Sequence, residues 1–364
     1  MFSQITVVGL GLIGGSLCRA IKHVYPKTQI TGIDKGEVID RARKAKLVDR
    51  AEPAEHLPQS CQNAELVIVA TPIRPARELL PIIAQNTGSD AIVTDVCSLK
   101  SELVALAQTL FTGKNGWFIG GHPMAGSQLS GFEHADPFLF QNAIYVLCPV
   151  AKTPAVKLSA LAALVYGIGA HGVVMAPEVH DRIAAAVSHL PQLLAVALMQ
   201  FIAGKSEHNP LYLKMAAGGF RDMTRIASSP FTIWRDICEG NRQKISDEID
   251  GFVEKLRELQ SSLQAGALQP EFESAARGRL SIPQDTRGFL KAHFDLTVVV
   301  EDKPGVIAQI AGPLAKNGIN IKDIQVLKVR ENEGGTIRLA FESQKARKQA
   351  RTVLTSLGFR CQMN

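Results

Sequence analysis

Residues 5–17 read ITVVGLGLIGGSL. A β-branched apolar run, ITVVGLG (5–11), runs into Gly9-Leu10-Gly11-Leu12-Ile13-Gly14, and a helical pattern comes next. Each glycine has its own task in such a strand–turn–helix. Gly9 permits the tight turn, Gly11 lets the backbone approach a pyrophosphate, and Gly14 lets helix and strand pack closely. The free amides of the helix start, at Leu12 and Ile13, offer hydrogen bonds and positive potential to phosphates. Asp34 closes the next strand, QITGID (29–34), at the spacing of a ribose-binding acid. Its charge repels a 2′-phosphate, which favours NAD over NADP, while Lys35, Arg41 and Arg43 nearby soften that preference. The competing reading is a glycine turn without a ligand; strand, helix and acid in register argue against it.

Further strands are expected at ELVIVATP (65–72), AIVTDV (91–96), WFIGG (117–121) and NAIYVLCP (142–149), alternating with helical stretches. That alternation predicts an α/β doubly wound, mainly parallel sheet over residues 1–174. Thr71 and Pro72 fall at a strand end, where such sheets meet their ligand. Residues 175–284 carry an almost wholly helical pattern. HDRIAAAVSHLPQLLAVALMQFI (180–202) is apolar on more than one face, so it is expected to be buried, in part against a second subunit. Pro191 cannot donate to the carbonyl of Val187, so a kink is expected there. Ser229-Pro230 reads as a helix start, and Gly240 as a break later in that helix. After a linker at about 285–292, residues 292–364 run strand, helix, strand, strand, helix, a small ferredoxin-like βαββα unit.

The chain has 364 residues, 46% of them hydrophobic, enough for several cores. Six scattered cysteines lack metal or disulfide spacing, which predicts no metal and suits a reducing cytoplasm. The apolar N-terminus lacks the basic start of a signal peptide, and the longest apolar run, 190–204, is interrupted by Pro191, Gln192 and Gln200, so no membrane span is expected. The net charge of +6 concentrates in RARKAK (41–46) and QKARKQAR (344–351). Without interleaved aromatics these read as solvated helix faces rather than a nucleic-acid surface, and a mild positive field suits small anions.

GGHPMAGS (120–127) places His122 between a glycine and a proline, which predicts a loop position after WFIGG. DVCSLK (95–100) ends the neighbouring strand, so Ser98 could reach the ring. A neutral imidazole there is either a general base for hydride transfer from an alcohol or a turn residue, and on these residues alone the two readings are even. His189 in SHLPQ (188–192) is a candidate of the same kind, with a satisfied core histidine as the plainer reading. GGFRDMTRIASSP (218–230) sets Arg221 and Arg225 four apart, on one face if helical. Arginine forks suit carboxylates; an ion pair with Asp222 or Glu239 is the alternative.

Taken in order, GLGLIGGS, DVCSLK, GGHPMAGS, SHLPQ and GGFRDMTRIASSP with Trp234 after it closely resemble the prephenate/arogenate dehydrogenase family of tyrosine biosynthesis. EDKPGVIAQIAGPLAKNGINI (301–321) resembles an ACT regulatory domain. The resemblance implies NAD-dependent oxidative decarboxylation of prephenate to 4-hydroxyphenylpyruvate, with His122, oriented by Ser98, as the base. It implies that Arg225 binds a carboxylate and that His189, Arg221, Gly218 and Trp234 lie around the substrate. It puts Gln128 where specificity is set: a neutral residue offers no charge preference for the ammonium of arogenate, so prephenate is favoured over arogenate or dual use. It implies a homodimer and tyrosine feedback through Asp302, Pro304, Gly305, Val306, Asn320 and Ile321. A non-catalytic sensor of NAD and amino acids would keep the glycine turn and the ACT unit without needing Ser98, His122 and Arg225 together.

Overall fold

The computed structural model describes residues 2–113, 115–126, 131–281, 294–301, 303–330 and 334–363. The chain divides into two compact units, Met1–Glu271 and Phe272–Asn364. Gln128, Asp302 and the expected linker lie outside the described residues.

The first unit is built on eight strands: β1 Gln4–Val8, β2 Gln29–Asp34, β3 Arg50–Pro53, β4 Leu66–Val69, β5 Ile92–Asp95, β6 Trp117–Pro123, β7 Ile144–Pro149 and β8 His171–Val174. Their order is β3-β2-β1-β4-β5-β6-β7-β8, and only β6 and β7 pair antiparallel. The strands are apolar at successive positions because both faces are covered. Val7, Leu66 and Ile68 pack on one side with Leu17 and Ile21 of the helix Leu12–Val24. Val8, Val67 and Val69 pack on the other with Leu80 and Ile83 of the helix Ile73–Asn86. β3 and β8 were not legible in the sequence. RAEP and HGVV are four-residue pieces, polar or glycine-containing, at the outer ends of the sheet.

β1 lies between β2 and β4, so the chain leaves it in opposite directions on its two sides. The glycine turn therefore opens at the switch point where doubly wound sheets bind ligands. β6 corrects the sequence reading of His122. The strand continues through Gly121 to Pro123, with His122 opposite Val146 of β7, so the histidine stands on a strand and not on a loop. Pairing with β7 supplies the register that Gly-His-Pro could not signal locally. β5 pairs β6 only at 117–119, which leaves residues 120–123 free on that side.

The helical region begins with one continuous helical stretch, Pro177–His208, of 32 residues. It comprises an α-helix Pro177–Ala184, a π-turn Ala185–His189 and an α-helix Leu190–His208. The expected irregularity is thus a π-turn just before Pro191, whose missing N–H falls in the first turn of the next helix. The stretch is long and apolar enough to cross a membrane by length and composition, contrary to the sequence reading. It also carries the buried polar residues His180, Asp181, His189 and Gln192, all committed to contacts within the unit. Arg221 ends up in the helix Gly218–Thr224 and Arg225 opens a 3₁₀ turn, Arg225–Ser228, so they do not share an α-helical face. The next helix, Phe231–Gly240, starts one residue after Pro230, and Asn241 separates it from Arg242–Gln264.

The second unit forms a sheet of β9 Phe294–Val300, β10 Asp323–Arg330, β11 Gly334–Phe341 and β12 Arg360–Met363, in the order β10-β11-β9-β12. All neighbours are antiparallel. The helices Val306–Lys316 and Gln344–Ser356 bury Ile310, Leu314, Ala350 and Leu354 against Leu296, Val298, Ile337 and Leu339. The expected βαββα order thus gains a closing strand. RCQM is short and largely exposed, so only its pairing with β9 defines it.

Candidate active site

The glycine turn is shaped by close approach. Gly9 has φ +96°, and a Cβ on it would come within 2.6 Å of Ala70 O. A Cβ on Gly14 would come within 1.9 Å of Gly9 O, whereas nothing lies within 4 Å of one on Gly11. Gly9 and Gly14 therefore close the turn, and Gly11 leaves open space above its backbone. The Asp34 carboxylate accepts from Leu10 N at 2.6 Å and from Lys35 N at 2.7 Å, which fixes it at the rim of the turn. The helix Leu12–Val24 has no side-chain cap, so its first amides keep their donor capacity. Thr71 Oγ1 is buried without a hydrogen-bond partner among the described residues. This combination fits a dinucleotide: an open cradle of amides, an acid at ribose distance along the motif, and an unsatisfied hydroxyl at the next strand end.

Beside it, a buried ion pair holds the strand that carries His122. Lys100 and Asp95 are fully buried and paired, one on each side of the Gly121 peptide. Asp95 Oδ1 accepts from Gly121 N at 3.0 Å, and Lys100 Nζ donates to Gly121 O at 2.6 Å. The loop after β5 thereby replaces the strand pairing that β6 lacks there. Asp95 also accepts from Cys97 N at 2.9 Å, ordering the turn into Ser98.

His122 Nδ1 lies 2.8 Å from His180 Nε2, and His180 Nδ1 lies 2.8 Å from Asp181 Oδ1. This differs from the expected bond to Ser98. Among the described residues the ring's partner is His180, because the helix at Pro177–Ala184 lays it edge-on to His122 with centroids 5.0 Å apart. Ser98 is half-buried on the neighbouring loop. Burial, then the charge of Lys100, pushes His122 well below the usual imidazole range, so the ring is neutral at physiological pH. Burial alone would raise Asp181, but hydrogen bonds from His180 and Ser101 outweigh it and hold the carboxyl at about 2.

His189 is buried and stands edge-on to Trp234, centroids 5.9 Å apart. Burial lowers its pKa to about 4. Asn241 Nδ2 donates to Asp181 O at 2.7 Å and reaches His189 Nδ1 at 3.3 Å. A carbonyl only accepts, so Nδ2 is the atom that faces it, and His189 Nδ1 is then an acceptor with the ring proton on Nε2. Gln192 Nε2 donates to Ile226 O at 2.9 Å and ties the Arg225 turn to this helix. Arg221, Arg225 and Gly218 are exposed. Glu239 pairs with Arg74 and is not a partner for either arginine.

The comparisons with known proteins agree along the whole chain. Family models match as the prephenate dehydrogenase nucleotide-binding domain at residues 17–174, the prephenate dehydrogenase dimerization domain at 176–274 and an ACT domain at 294–358. A Bacillus subtilis prephenate dehydrogenase is 37% identical over 96% of this chain and 95% of its own. The chain belongs to the prephenate dehydrogenase family. A second prephenate dehydrogenase, from Lactococcus lactis, is 33% identical over 96% of this chain and 97% of its own. A prephenate dehydrogenase of Aquifex aeolicus, solved with hydroxyphenyl propionate and NAD+, superimposes with a TM-score of 0.71 at 29% identity. It covers 78% of this chain and 99% of that one.

In this prephenate dehydrogenase family member, the ACT loop lies apart from the His122 cluster in sequence and has its own geometry. Gly305 has φ +86° and starts the helix at Val306, after Pro304. A groove beside it is lined by Lys303, Val306, Gln309, Leu357 and Arg360. Asn320 and Ile321 are not part of that lining. Sequence reasoning missed His180, Asp181, Lys100, Asp95, Asn241 and Gln192 as parts of the site. The available signal was a His-Asp pair at the head of an otherwise apolar helix. Buried acids are rare unless bonded, so that pair had to have partners.

Proposed function

We propose that the chain catalyses NAD-dependent oxidative decarboxylation of prephenate to 4-hydroxyphenylpyruvate, in tyrosine biosynthesis in the cytoplasm. The observation that carries this reading is His122 on β6, its Nδ1 engaged by His180 and its pKa held well below the usual imidazole range by burial, an arrangement in which Nε2 would serve the substrate. Family membership and the amide cradle at Gly9–Gly14 support the cofactor. Gly9, Gly11, Leu12, Ile13 and Gly14 would hold the pyrophosphate, Asp34 the ribose, and Thr71 with Pro72 the edge of the nicotinamide site. Bound NAD supplies the hydride acceptor.

His122 Nε2 takes the proton of the ring hydroxyl as that carbon is oxidised to a ketone. The ketone stands across the ring from the carboxylate and draws the electrons of the carbon–carboxylate bond. Carbon dioxide leaves and the ring becomes aromatic, which makes the step effectively irreversible. Arg225 pairs with a substrate carboxylate as a bidentate fork. His189 offers Nε2–H as a donor near the side chain, Trp234 walls the pocket, and Arg221 and Gly218 border it. Ser98, half-buried on the loop after β5, would contact the substrate hydroxyl. Gln128, being neutral, leaves prephenate preferred over arogenate.

The protein acts as a homodimer through its helical region, where Phe201, Met215, Met223 and Phe231 are 62, 78, 69 and 66% exposed in the single chain. Tyrosine binds at the ACT loop around Asp302, Pro304, Gly305 and Val306, with Asn320 and Ile321, and lowers activity. NADH formation with prephenate and with arogenate in parallel tests the reaction; turnover of arogenate alone would overturn the substrate assignment, and silence with both would overturn the reaction. Titration calorimetry with tyrosine, with and without residues 292–364, tests the effector site; undiminished binding without them would overturn it.

A further inference from the structure

His122 works as a base only if its free nitrogen, Nε2, carries a lone pair. In a neutral imidazole that requires the proton on Nδ1, and the tautomer is set by whatever Nδ1 meets. Nδ1 meets another histidine, which can donate or accept, so the choice passes one residue further. His180 turns its Nδ1 to Asp181 Oδ1 at 2.8 Å. An ionised carboxylate only accepts. The Asp181 carboxylate is anchored independently, by Lys100 N on Oδ1 at 2.8 Å and Ser101 N on Oδ2 at 2.9 Å. Burial of His180, Asp181 and His189, at 2% exposure each, keeps water from competing for these contacts.

We propose that Asp181, acting through His180, is a positioning residue that fixes the tautomer of His122. Asp181 holds the proton of His180 on Nδ1. His180 Nε2 is then a lone pair and accepts from His122 Nδ1–H, and Nε2 of His122 is left bare toward the substrate. The same residue works in the opposite sense on the other side. Its backbone carbonyl orients Asn241, whose second N–H makes His189 Nδ1 an acceptor. One buried aspartate thus gives the site one imidazole that accepts and one that donates. The alternative arrangement is a doubly protonated His180 paired with Asp181, which would donate to His122 and put the ring proton on Nε2, leaving no base.

The inference rests on His122 being the base, and the experiment separates the two. Nitrogen NMR of the full-length protein labelled at histidine, saturated with NAD, reads which ring nitrogens are protonated; His122→Asn and His180→Gln assign the signals. The expected result is protonated Nδ1 and bare Nε2 on both His122 and His180 at neutral pH. An Nε2-protonated His122 or a cationic His180 overturns the inference. Turnover supplies the second readout. His180→Phe removes the acceptor and should lower kcat by about 100-fold, less than the roughly 10⁴-fold seen when a charged group that orients a catalytic histidine is lost, because His180 is a neutral acceptor. His180→Gln puts a carbonyl acceptor near Nδ1 and should recover at least about tenfold of that loss, with KM for prephenate and NAD little changed in both. Equal losses in the two variants, or losses carried by KM, would assign His180 a packing role and overturn the inference. These arms stand without any Asp181 variant, whose loss of the Lys100 and Ser101 contacts threatens folding. If His122→Asn keeps normal turnover, the base reading itself fails, whatever the NMR reports.

Discussion

His122 stands on a strand whose peptide is gripped by a buried ion pair and whose ring is bonded to a second buried histidine. Arg225 stands on an exposed 3₁₀ turn, tied to the adjoining helix at the carbonyl of Ile226 by Gln192. The sheet half of the site is finished by its own chain. The helical half is more open: its apolar side chains, Phe231 and Met223 among them, face outward in the single chain. The difference separates two kinds of work. A proton acceptor must be placed and kept in one protonation state before substrate arrives, and a rigid, desolvated frame does that. A carboxylate fork has to admit its ligand from water and can be completed by a neighbouring subunit. Changes around His122, its partner His180 included, should therefore fall on kcat, and changes around Arg225 on KM.

The largest test of that division is His122→Asn. Turnover should fall about a thousandfold while NAD affinity, measured by fluorescence titration, stays within twofold; this lies in the range for losing a general base. Preserved turnover would break the assignment.

Acid stability probes the buried histidine on the helical side. His189 is held near 4, below the 6.5 of a free imidazole. Below pH 6.5 the unfolded chain binds a proton that the folded chain refuses, so stability falls as pH drops from 6.5 toward 4 and levels off below. The full loss is about 3 kcal/mol. His189→Phe should flatten denaturant midpoints across this window. Asp181 acts in the same direction but lower down: its folded carboxyl, at about 2, keeps stability that is lost only as pH falls from 3.8 toward that value. Identical slopes in the two proteins between pH 6.5 and 4 would remove His189 as the cause.

Arg225→Ala should raise KM for prephenate about 50-fold, the equivalent of a charge-assisted pair, with kcat reduced much less. A loss confined to kcat would place Arg225 with the sheet half and erase the contrast. The smallest effect belongs to Gln192→Leu, which leaves Ile226 O without its donor and loosens the Arg225 turn. KM should rise about fivefold, in keeping with about 1 kcal/mol for one hydrogen bond. An unchanged KM would mean that the turn holds its shape without that tether.

Much of this was written locally in the chain. The glycine turn, the strands at 4–8, 29–34, 66–69 and 92–95, and the break after Gly240 depend on nearest neighbours and on period, and sequence carries both. The position of Pro191 announced a disturbed helix. Motifs gathered His122, His189 and Arg225 into one family pattern. What sequence could not carry was pairing across distance. Gly-His-Pro reads as a loop, and only antiparallel β7 makes it strand. His180 is 58 residues from His122, and Asp181 is 81 and 80 residues from the two amides it accepts. A hydrogen bond between such residues leaves no spacing to read. Residue types and local period therefore determined the elements and the family. The fold alone decided which nitrogen of His122 is held, because that depends on a donor and an acceptor 58 residues apart in sequence, brought together on a strand and a helix around the buried His180.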